Sequence, residues 1–464
     1  MKNSLKILSF CAVSALVLTA CSANSAPAEM IEVKPKAKNV ILFIGDGMGI
    51  STITATRIFD GQSKGMDGEE NVLSFETFPN VALVKTYNFD AQVADSAGTA
   101  SAMNTGIKTE IGKINVRPNE NDAHCKSDNH QPPTTMADMA KSAGMSVGLV
   151  TTTRLTHATP AAVYGHSSSR YFERDSDLSV DAFEKGCTDL ASQLIASNLD
   201  YVLGGGLRNF TRDKRNDMRD LMGEWAEKSD NHITVSNAQE LRALPKSGPK
   251  VLGVMSASHL SFEVDRDDSK QPSISEMTTR AIESLSASGN GYYLMVEGGR
   301  IDHAHHDTNA YRALTDAQAF ANAVQAAMDV TDPAETLILV TADHSHVFTI
   351  SGYPGRGNPI LGLVRWDEED SYALAEDGNP YTTLGYYNGA NVRGSLNKPL
   401  TNAITQAPDY HQEVAIKMDS EAHAGEDVAL FARGPGADGA RGVIDQKEIY
   451  NIMVDALGLG TEDE

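Results

Sequence analysis

The chain has 464 residues, which is enough for one large domain or for a domain that carries a sizeable insertion. Hydrophobic residues make up 41% of it, so an extensive core is expected and wholesale disorder is excluded. Its formal net charge of −23 at pH 7 argues against nucleic acid or an anionic membrane surface as the main partner. The charge is most simply explained by solubility. An anionic substrate would then need a local positive site, which bound metal ions could supply.

The first segment in chain order is predicted to be a signal peptide, residues 1–20. Two lysines precede a mostly apolar run of 14 residues, 7–20, which is shorter than the roughly 20 residues of a membrane span. The run ends in Leu-Thr-Ala-Cys21, which resembles a bacterial lipobox, so Cys21 is predicted to carry lipid. An ordinary signal peptide with an incidental cysteine is the alternative. We expect an exported lipoprotein of a Gram-negative-like bacterium, periplasmic or attached to the outer membrane, with no other membrane contact.

A short linker rich in Ala, Ser and Pro, residues 21–37, is expected before the body of the chain, residues 38–464. The body contains only two cysteines, Cys125 and Cys187. An even pair in an exported chain predicts one disulfide, and two unpaired buried thiols are the alternative. Closing a loop of this length would stabilise the fold by roughly 4 kcal/mol.

Four short apolar runs in the body predict strands of a parallel sheet that is buried on both faces: 40–44, 147–151, 292–296 and 337–341. Helical patterns lie between them at 134–143, 275–286 and 310–328, and surface helices are expected near 175–185 and 211–230. The alternation predicts an α/β fold, a three-layer sandwich with a central, mostly parallel sheet and helices on both faces. Residues 352–420 are rich in Gly, Pro, Asn and Tyr, and are predicted to be an insertion of loops and short strands outside the sheet core.

Acidic residues, histidines and one threonine follow the four runs: Asp46, then His157 and Thr159, then Glu297, Asp302 and His306, and finally Asp343 and His344. Ligands of open α/β sheets bind outside the carboxyl ends of the strands. One such residue would be explained by helix capping, and one histidine by ordinary burial, but the repeated set indicates a metal site. Mixed nitrogen and oxygen donors suit zinc. The oxygen donors Asp46, Thr159 and Glu297 suit magnesium.

Ser96 lies in a run of small residues, 95–102, that is typical of the tight start of a helix. A helix N-terminus presents free backbone N–H groups and favours phosphate. Taken alone, a serine before a helix is most often an N-cap. Because a serine hydroxyl is a weak nucleophile until a base or metal activates it, a nucleophilic role for Ser96 depends on the metal cluster.

At this point the sequence resembles the alkaline phosphatase family. Six blocks agree with the family in order and spacing: 43–49 (FIGDGMG), 93–100 (VADSAGTA), 157–161 (HATPA), 296–303 (VEGGRIDH), 341–348 (TADHSHVF) and 422–428 (AHAGEDV). The resemblance runs from about residue 38 to 456, nearly the whole body, and is highly specific. The later blocks are closer to the animal enzymes than to the enteric bacterial type.

The resemblance implies a role for each matching residue. Asp302, His306 and His423 would bind a first zinc ion, Asp46, Asp343 and His344 a second, and Asp46, Thr159 and Glu297 one magnesium ion. Ser96 would be the nucleophile and Arg170 would grip the phosphate. His157 and His303 match positions that tune rate and metal preference, and these two residues and His346 are expected to lie behind the ligands.

Further features follow from the same resemblance. Cys125 and Cys187 match a disulfide of the animal enzymes, and residues 352–420 match a crown-like insertion near a dimer interface, so a homodimer is expected. Animal enzymes also carry a calcium site. Ser256 and Gln271 stand at two of its acidic positions, and we therefore expect no calcium site here.

The expected function is hydrolysis of phosphate monoesters to an alcohol and inorganic phosphate through a phosphoserine intermediate, with an alkaline optimum. A phosphodiesterase, sulfatase or cofactor-independent mutase of the same superfamily would share the core and several ligands, but Ser96 together with Arg170 favours a monoesterase. Rates on a monoester and a matched diester discriminate between them. A non-catalytic lipoprotein that binds zinc or phosphate is a further alternative, and it would form no phosphoserine.

Overall fold

The computed structural model describes residues 36–119, 132–368, 370–394 and 399–460, which lie within one unit, Pro35–Glu464. The strands are β1 (Asn39–Gly45), β2 (Asn80–Lys85), β3 (Ser146–Arg154), β4 (Tyr201–Gly205), β5 (His232–Val235), β6 (Lys250–Val254), β7 (Tyr292–Glu297), β8 (Thr336–Ala342), β9 (Ser345–His346), β10 (Phe348–Ile350), β11 (Leu384–Gly389), β12 (Val414–Lys417), β13 (His423–Ala424), β14 (Val428–Arg433) and β15 (Gly442–Asp445). The α-helices are α1 (Ile50–Ser63), α2 (Ser96–Thr105), α3 (Met136–Ser142), α4 (Ala158–Ala161), α5 (Val180–Glu184), α6 (Leu190–Ala196), α7 (Leu221–Ala226), α8 (Ala238–Ala243), α9 (Ile274–Ser286), α10 (Arg300–His306), α11 (Ala310–Val330), α12 (Asn402–Thr405) and α13 (Glu448–Leu457).

A ten-stranded sheet forms the centre, in the order β15-β2-β14-β8-β1-β7-β3-β4-β6-β5. Among its described strands, β14 alone is antiparallel to both neighbours, and all other pairings are parallel. Strand β1 contacts both α11 and α13, and every residue from Val40 to Gly45 is buried. Because alternate residues of a strand point to opposite faces, helices cover both faces of the sheet. The predicted α/β sandwich is confirmed.

The four strands predicted from sequence are β1, β3, β7 and β8, which are neighbours at the middle of the sheet. Their central position explains their continuous apolar sequence, since both faces are covered. Strands β4 and β6 are also buried but contain glycine, and β2 alternates between buried and exposed residues. These weaker patterns explain why the outer strands were not predicted.

Helices α3, α9 and α11 match the three predicted helical patterns. The predicted surface helices were too long. In 175–185 only α5 is α-helical, after a 3₁₀ turn at Asp175–Asp177, and in 211–230 only α7 is, after a 3₁₀ turn at Arg212–Lys214. Between the turn at Arg212–Lys214 and α7, Arg215 is buried and pairs with Asp189 and Asp217. These ion pairs hold the backbone at Arg215 extended where a helix was expected.

Several sequence predictions lie outside the described residues: the signal peptide, Cys21, nearly all of the linker, and Cys125. Cys187 is buried beside Phe172, Leu178 and Ala182, and its pairing remains a prediction. Within the described parts of 352–420, β11 and β12 form a small sheet with β10, and neither joins the ten-stranded sheet. None of the described helices is sufficiently long and apolar to cross a membrane.

The central strands should dominate the stability of the fold. Leu42 in β1 is fully buried and pairs with Met295 and Leu339 on either side. We predict that Leu42→Ala lowers the free energy of unfolding by about 2–5 kcal/mol, measured by chemical denaturation. Leu83→Ala makes the same change in β2 at a residue that is 42% exposed, and should cost less than about 1 kcal/mol. Equal losses would contradict the placement of the core.

Candidate metal centre and active site

The carboxyl ends of β1, β7 and β8 lie at one edge of the sheet because the three strands pair in register. Ile44 in β1 pairs with Glu297 in β7 and with Thr341 in β8. The residues that follow these strands therefore converge. The turn after β1 requires glycine at Gly47, where φ is 69° and an added Cβ would lie 2.4 Å from the His346 ring.

Asp302, His306 and His423 form the first group of candidate ligands. His306 Nδ1 lies 2.7 Å from the Glu421 carbonyl oxygen, and His423 Nδ1 lies 2.8 Å from that of Ala94. A carbonyl only accepts hydrogen bonds, so each Nδ1 donates and each neutral ring has a bare Nε2. The two Nε2 atoms lie 3.2 Å apart, and each is 3.4 Å from Asp302 Oδ1. These lone pairs and this carboxylate converge as the ligands of a metal ion do.

His346 belongs to the same cluster. Ligand atoms of Asp302, His306, His346 and His423 lie within 4.8 Å of one another. His346 Nε2 lies 2.8 Å from Asp302 Oδ1, and its Nδ1 lies 2.5 Å from Glu421 Oε2. Although burial acts to lower it, these hydrogen bonds raise the pKa of His346 to about 10. Since both ring nitrogens donate to carboxylates, His346 is arranged to hold Asp302 rather than to bind metal itself.

Asp46, Asp343 and His344 form the second group. His344 Nδ1 faces the Ser345 carbonyl oxygen, and His344 Nε2 lies 3.4 Å from Asp46 Oδ1 and 3.3 Å from Asp343 Oδ2. Asp343 is oriented through Oδ1, which accepts from the backbone N–H groups of Gly47 and His344 at 2.9 Å. Burial, reinforced by the charge of Asp343, raises the pKa of Asp46 well above its usual value.

The third predicted group is Asp46, Thr159 and Glu297, and all three are fully buried. Ligand atoms of Asp46 and Glu297 lie within 4.8 Å of each other and of His157. Among the described residues, both Asp46 carboxylate oxygens, Thr159 Oγ1 and Glu297 Oε1 have no hydrogen-bond partner. Glu297 Oε2, in contrast, accepts from Thr151 and Thr153, while burial raises the pKa of Glu297 to about 7. Unpartnered buried oxygens are costly, and this all-oxygen set fits a hard cation.

Ser96 is the first residue of α2, and the N-cap is Asp95, whose Oδ1 accepts from the Gly98 backbone N–H at 3.1 Å. The interpretation of Ser96 as an N-cap is therefore wrong. Its hydroxyl is free of that task and lies 3.2 Å from His344 Nε2 in the second group. The start of α2 thus brings a serine hydroxyl and backbone N–H groups to the metal-ligand groups.

Arg170 reaches the same place from the loop after α4. Its guanidinium donates to Asp95 Oδ2 at 3.0 Å, and its other terminal nitrogen lies 3.3 Å from His157 Nε2. A cavity of about 630 Å³ opens here, and Arg170, His306 and His423 are among its lining residues. Asp95 thus caps α2 through one oxygen and orients Arg170 through the other, a role that the sequence analysis missed although the residue lies in a quoted block.

The ring of His303 packs near those of His157 and His259, with centroids 5.4 Å and 4.2 Å away. Burial lowers the pKa of His303 to about 3, and it lowers those of His157 and His259 as well. All three rings are therefore neutral at pH 7, which fits a position behind or beside the ligands. His259 follows a strand-end segment without a distinctive motif, so no local sequence signal could have identified it.

Comparisons with known proteins show the family to which the chain belongs. The alkaline phosphatase family model matches residues 37–459. The tissue-nonspecific alkaline phosphatase of Gallus gallus is 40% identical over 447 residues, which cover 91% of this chain and 85% of that protein. The alkaline phosphatase of Gadus morhua is 39% identical over 92% of this chain and 93% of that protein. The crystal structure of Thermus thermophilus alkaline phosphatase matches with a TM-score of 0.68 and 24% identity over 92% of each chain. The chain therefore belongs to the alkaline phosphatase family, whose members are metal-dependent hydrolases of phosphate monoesters.

Proposed function

We propose that this enzyme forms a covalent phosphoserine on Ser96 during the hydrolysis of phosphate monoesters, with two zinc ions and one magnesium ion bound beside it. The observation that carries the proposal is the pair of bare Nε2 atoms of His306 and His423, 3.2 Å apart next to Asp302. Two lone pairs that face each other repel unless a cation lies between them. Mixed nitrogen and oxygen donors of this kind suit zinc.

In the proposal, Asp302, His306 and His423 hold the first zinc ion, Asp46, Asp343 and His344 the second, and Asp46, Thr159 and Glu297 the magnesium ion. The unpartnered oxygens of the third group support magnesium, which prefers hard oxygen ligands. When bound, such ions polarise the phosphoryl group, lower the pKa of the attacking hydroxyl and neutralise the buried carboxylates.

The residues of the chain bind and orient the substrate. Arg170 is positioned to donate two hydrogen bonds to phosphate oxygens, and Asp95 holds it in that orientation. The backbone N–H groups at the start of α2 favour the same anion. Ser96 Oγ attacks phosphorus as the bond to the alcohol oxygen breaks, and the alcohol leaves with a proton. Water then attacks the phosphoserine, releases inorganic phosphate and returns a proton to Ser96.

We also infer that the enzyme acts outside the cytoplasm as a homodimer. The lipobox-like sequence that ends at Cys21 supports export and an N-terminal lipid anchor, in the periplasm or at the outer membrane. A disulfide between Cys125 and Cys187 is consistent with an oxidising compartment. The insertion at 352–420 is proposed to lie near the dimer interface.

Ser96→Ala removes the proposed nucleophile. We expect kcat for an aryl phosphate to fall about a thousandfold or more, because no other described hydroxyl is in contact with His344 Nε2. Zinc content and folding should be unchanged. Ser101→Ala makes the same change in α2 at a hydroxyl that donates to the Ala97 carbonyl and accepts from the Asn115 N–H instead, and should retain turnover. Unchanged turnover by the Ser96 variant would refute the assignment.

Removal of metal should abolish turnover. A chelator followed by gel filtration should give inactive protein, because the buried carboxylates and the attacking hydroxyl lose their counter-cations. The melting temperature should also fall, since ions that bind only the folded state stabilise it. Zinc plus magnesium should restore both. Full activity in protein that elemental analysis shows to be metal-free would rule out the scheme.

Arg170→Ala should weaken inhibition by inorganic phosphate by about 10–100-fold, the loss expected for charge-assisted hydrogen bonds. Metal content should stay the same, because the described side-chain hydrogen bonds of Arg170 go to Asp95 and His157 and not to a proposed zinc ligand. Arg170→Lys keeps the charge but not the two-pronged geometry. Its affinity for inorganic phosphate should therefore lie between that of the parent enzyme and that of Arg170→Ala. Phosphate inhibition constants measure the effect, and an unchanged constant in the alanine variant would count against the grip.

A further inference from the structure

Glu421 lies beside the first group of candidate ligands and has no role in the function proposed above. Its backbone holds His306 from two sides. The Glu421 N–H donates to the His306 carbonyl oxygen at 3.0 Å, and the Glu421 carbonyl accepts from His306 Nδ1 at 2.7 Å. This second contact fixes which nitrogen of His306 is left bare.

The side chain of Glu421 reaches another member of the same group through His346. Glu421 Oε2 lies 2.5 Å from His346 Nδ1, and His346 Nε2 lies 2.8 Å from Asp302 Oδ1. Glu421 Oε1 accepts from the Val347 backbone N–H at 2.8 Å, which anchors the carboxylate in one position. A continuous relay therefore runs from Glu421 through His346 to the Asp302 carboxylate.

The burial of Glu421 is hard to explain by packing alone. The residue is 2% exposed, and a carboxylate in that position is costly unless hydrogen bonds satisfy it. The hydrogen bonds of Glu421 satisfy its carboxylate, and they lead to the first group of candidate ligands. They orient His306 and, through His346, Asp302. Glu421 also stands two residues before His423, so one short segment carries a ligand and orients two others.

We propose that Glu421 is a positioning residue that holds Asp302 and His306 in the geometry that binds the first zinc ion. The inference rests on the function proposed above. Residues behind metal ligands typically change metal affinity by about 10–100-fold when they are replaced. Glu421 acts through its reach: its two oxygens must bridge Val347 and His346 at the same time.

Two conservative substitutions separate reach from charge. Glu421→Asp keeps the carboxylate but shortens it by one methylene, and so breaks the relay. Glu421→Gln keeps the length: its oxygen can still accept from Val347, and its NH₂ can donate to Nδ1 of a neutral His346 ring, whose Nε2–H still donates to Asp302. Zinc affinity is measured by competition with a chromophoric chelator, and the cobalt(II)-substituted protein reports the ligand geometry by its absorption spectrum. We expect about 10–100-fold weaker zinc binding at one site and an altered cobalt spectrum for E421D, and values near those of the parent chain for E421Q.

Glu426→Asp provides the matched control. Glu426 is exposed and accepts from Ser345 Oγ at 2.6 Å, beside the β9–β13 pair but outside the relay, so its shortening should leave zinc affinity unchanged. Saturating zinc should restore kcat in E421D, and the denaturation midpoint of the metal-free protein should change little. If Glu421 only stabilised the fold, E421D would instead lower the denaturation midpoint of the metal-free protein, and saturating zinc would not restore kcat.

Parental zinc affinity in E421D, or an equal loss in E421Q, would overturn the inference. If E421D does not fold, His346→Gln breaks the same relay at its centre and should weaken zinc binding similarly, and unchanged affinity there would also overturn it. Failure of the parent chain to bind zinc at all would instead refute the proposed function on which the inference rests.

Discussion

The register of β8, β1 and β7 is the constraint on which the site depends. Because Ile44 pairs with both Glu297 and Thr341, the three strands end at the same level, and the acidic residues at or just after their ends meet. Slippage of one strand by a single residue would turn its side chains to the opposite face. The apolar residues of these strands pair with both neighbours in this register, so residues that form the core also bring the candidate ligands together.

This arrangement places several carboxylates in one buried space, and their charges repel. Burial, reinforced by the charge of Asp343, raises the pKa of Asp46 well above its usual value and that of Glu297 to about 7. Oxygens of both residues also have no hydrogen-bond partner within the described part of the chain. Bound cations would relieve the repulsion and at the same time supply the positive charge that a phosphate needs in so acidic a protein. Stability and catalysis would therefore be coupled at the proposed metal sites.

The sequence predicted the centre of the fold well because the four central strands carry continuous apolar runs. It predicted the outer strands poorly, since β2 has an alternating, half-exposed pattern and β4 and β6 contain glycine. The length of a surface helix was overestimated where the ion pairs of the buried Arg215 compete with helix formation. For the site, residues after the predicted strands were identifiable. His423 and Arg170 were not: they come from distant segments and were named only through the family resemblance.

Residues that orient others were the hardest to predict. Asp95 and Glu421 act through hydrogen bonds to Arg170 and to His346, and neither bond has a local sequence signature. The proposed site would then have two layers: groups that meet the substrate or an ion, and buried carboxylates behind them that fix their orientation.

The most direct test of this account is anomalous scattering on both sides of the zinc absorption edge, from a crystal soaked in phosphate. The account predicts two zinc peaks, one between His306 and His423 and one beside His344, with phosphate between Arg170 and Ser96. The ion between Thr159 and Glu297 should show no zinc edge. Absence of zinc at the first two positions, or phosphate bound away from Ser96, would contradict it.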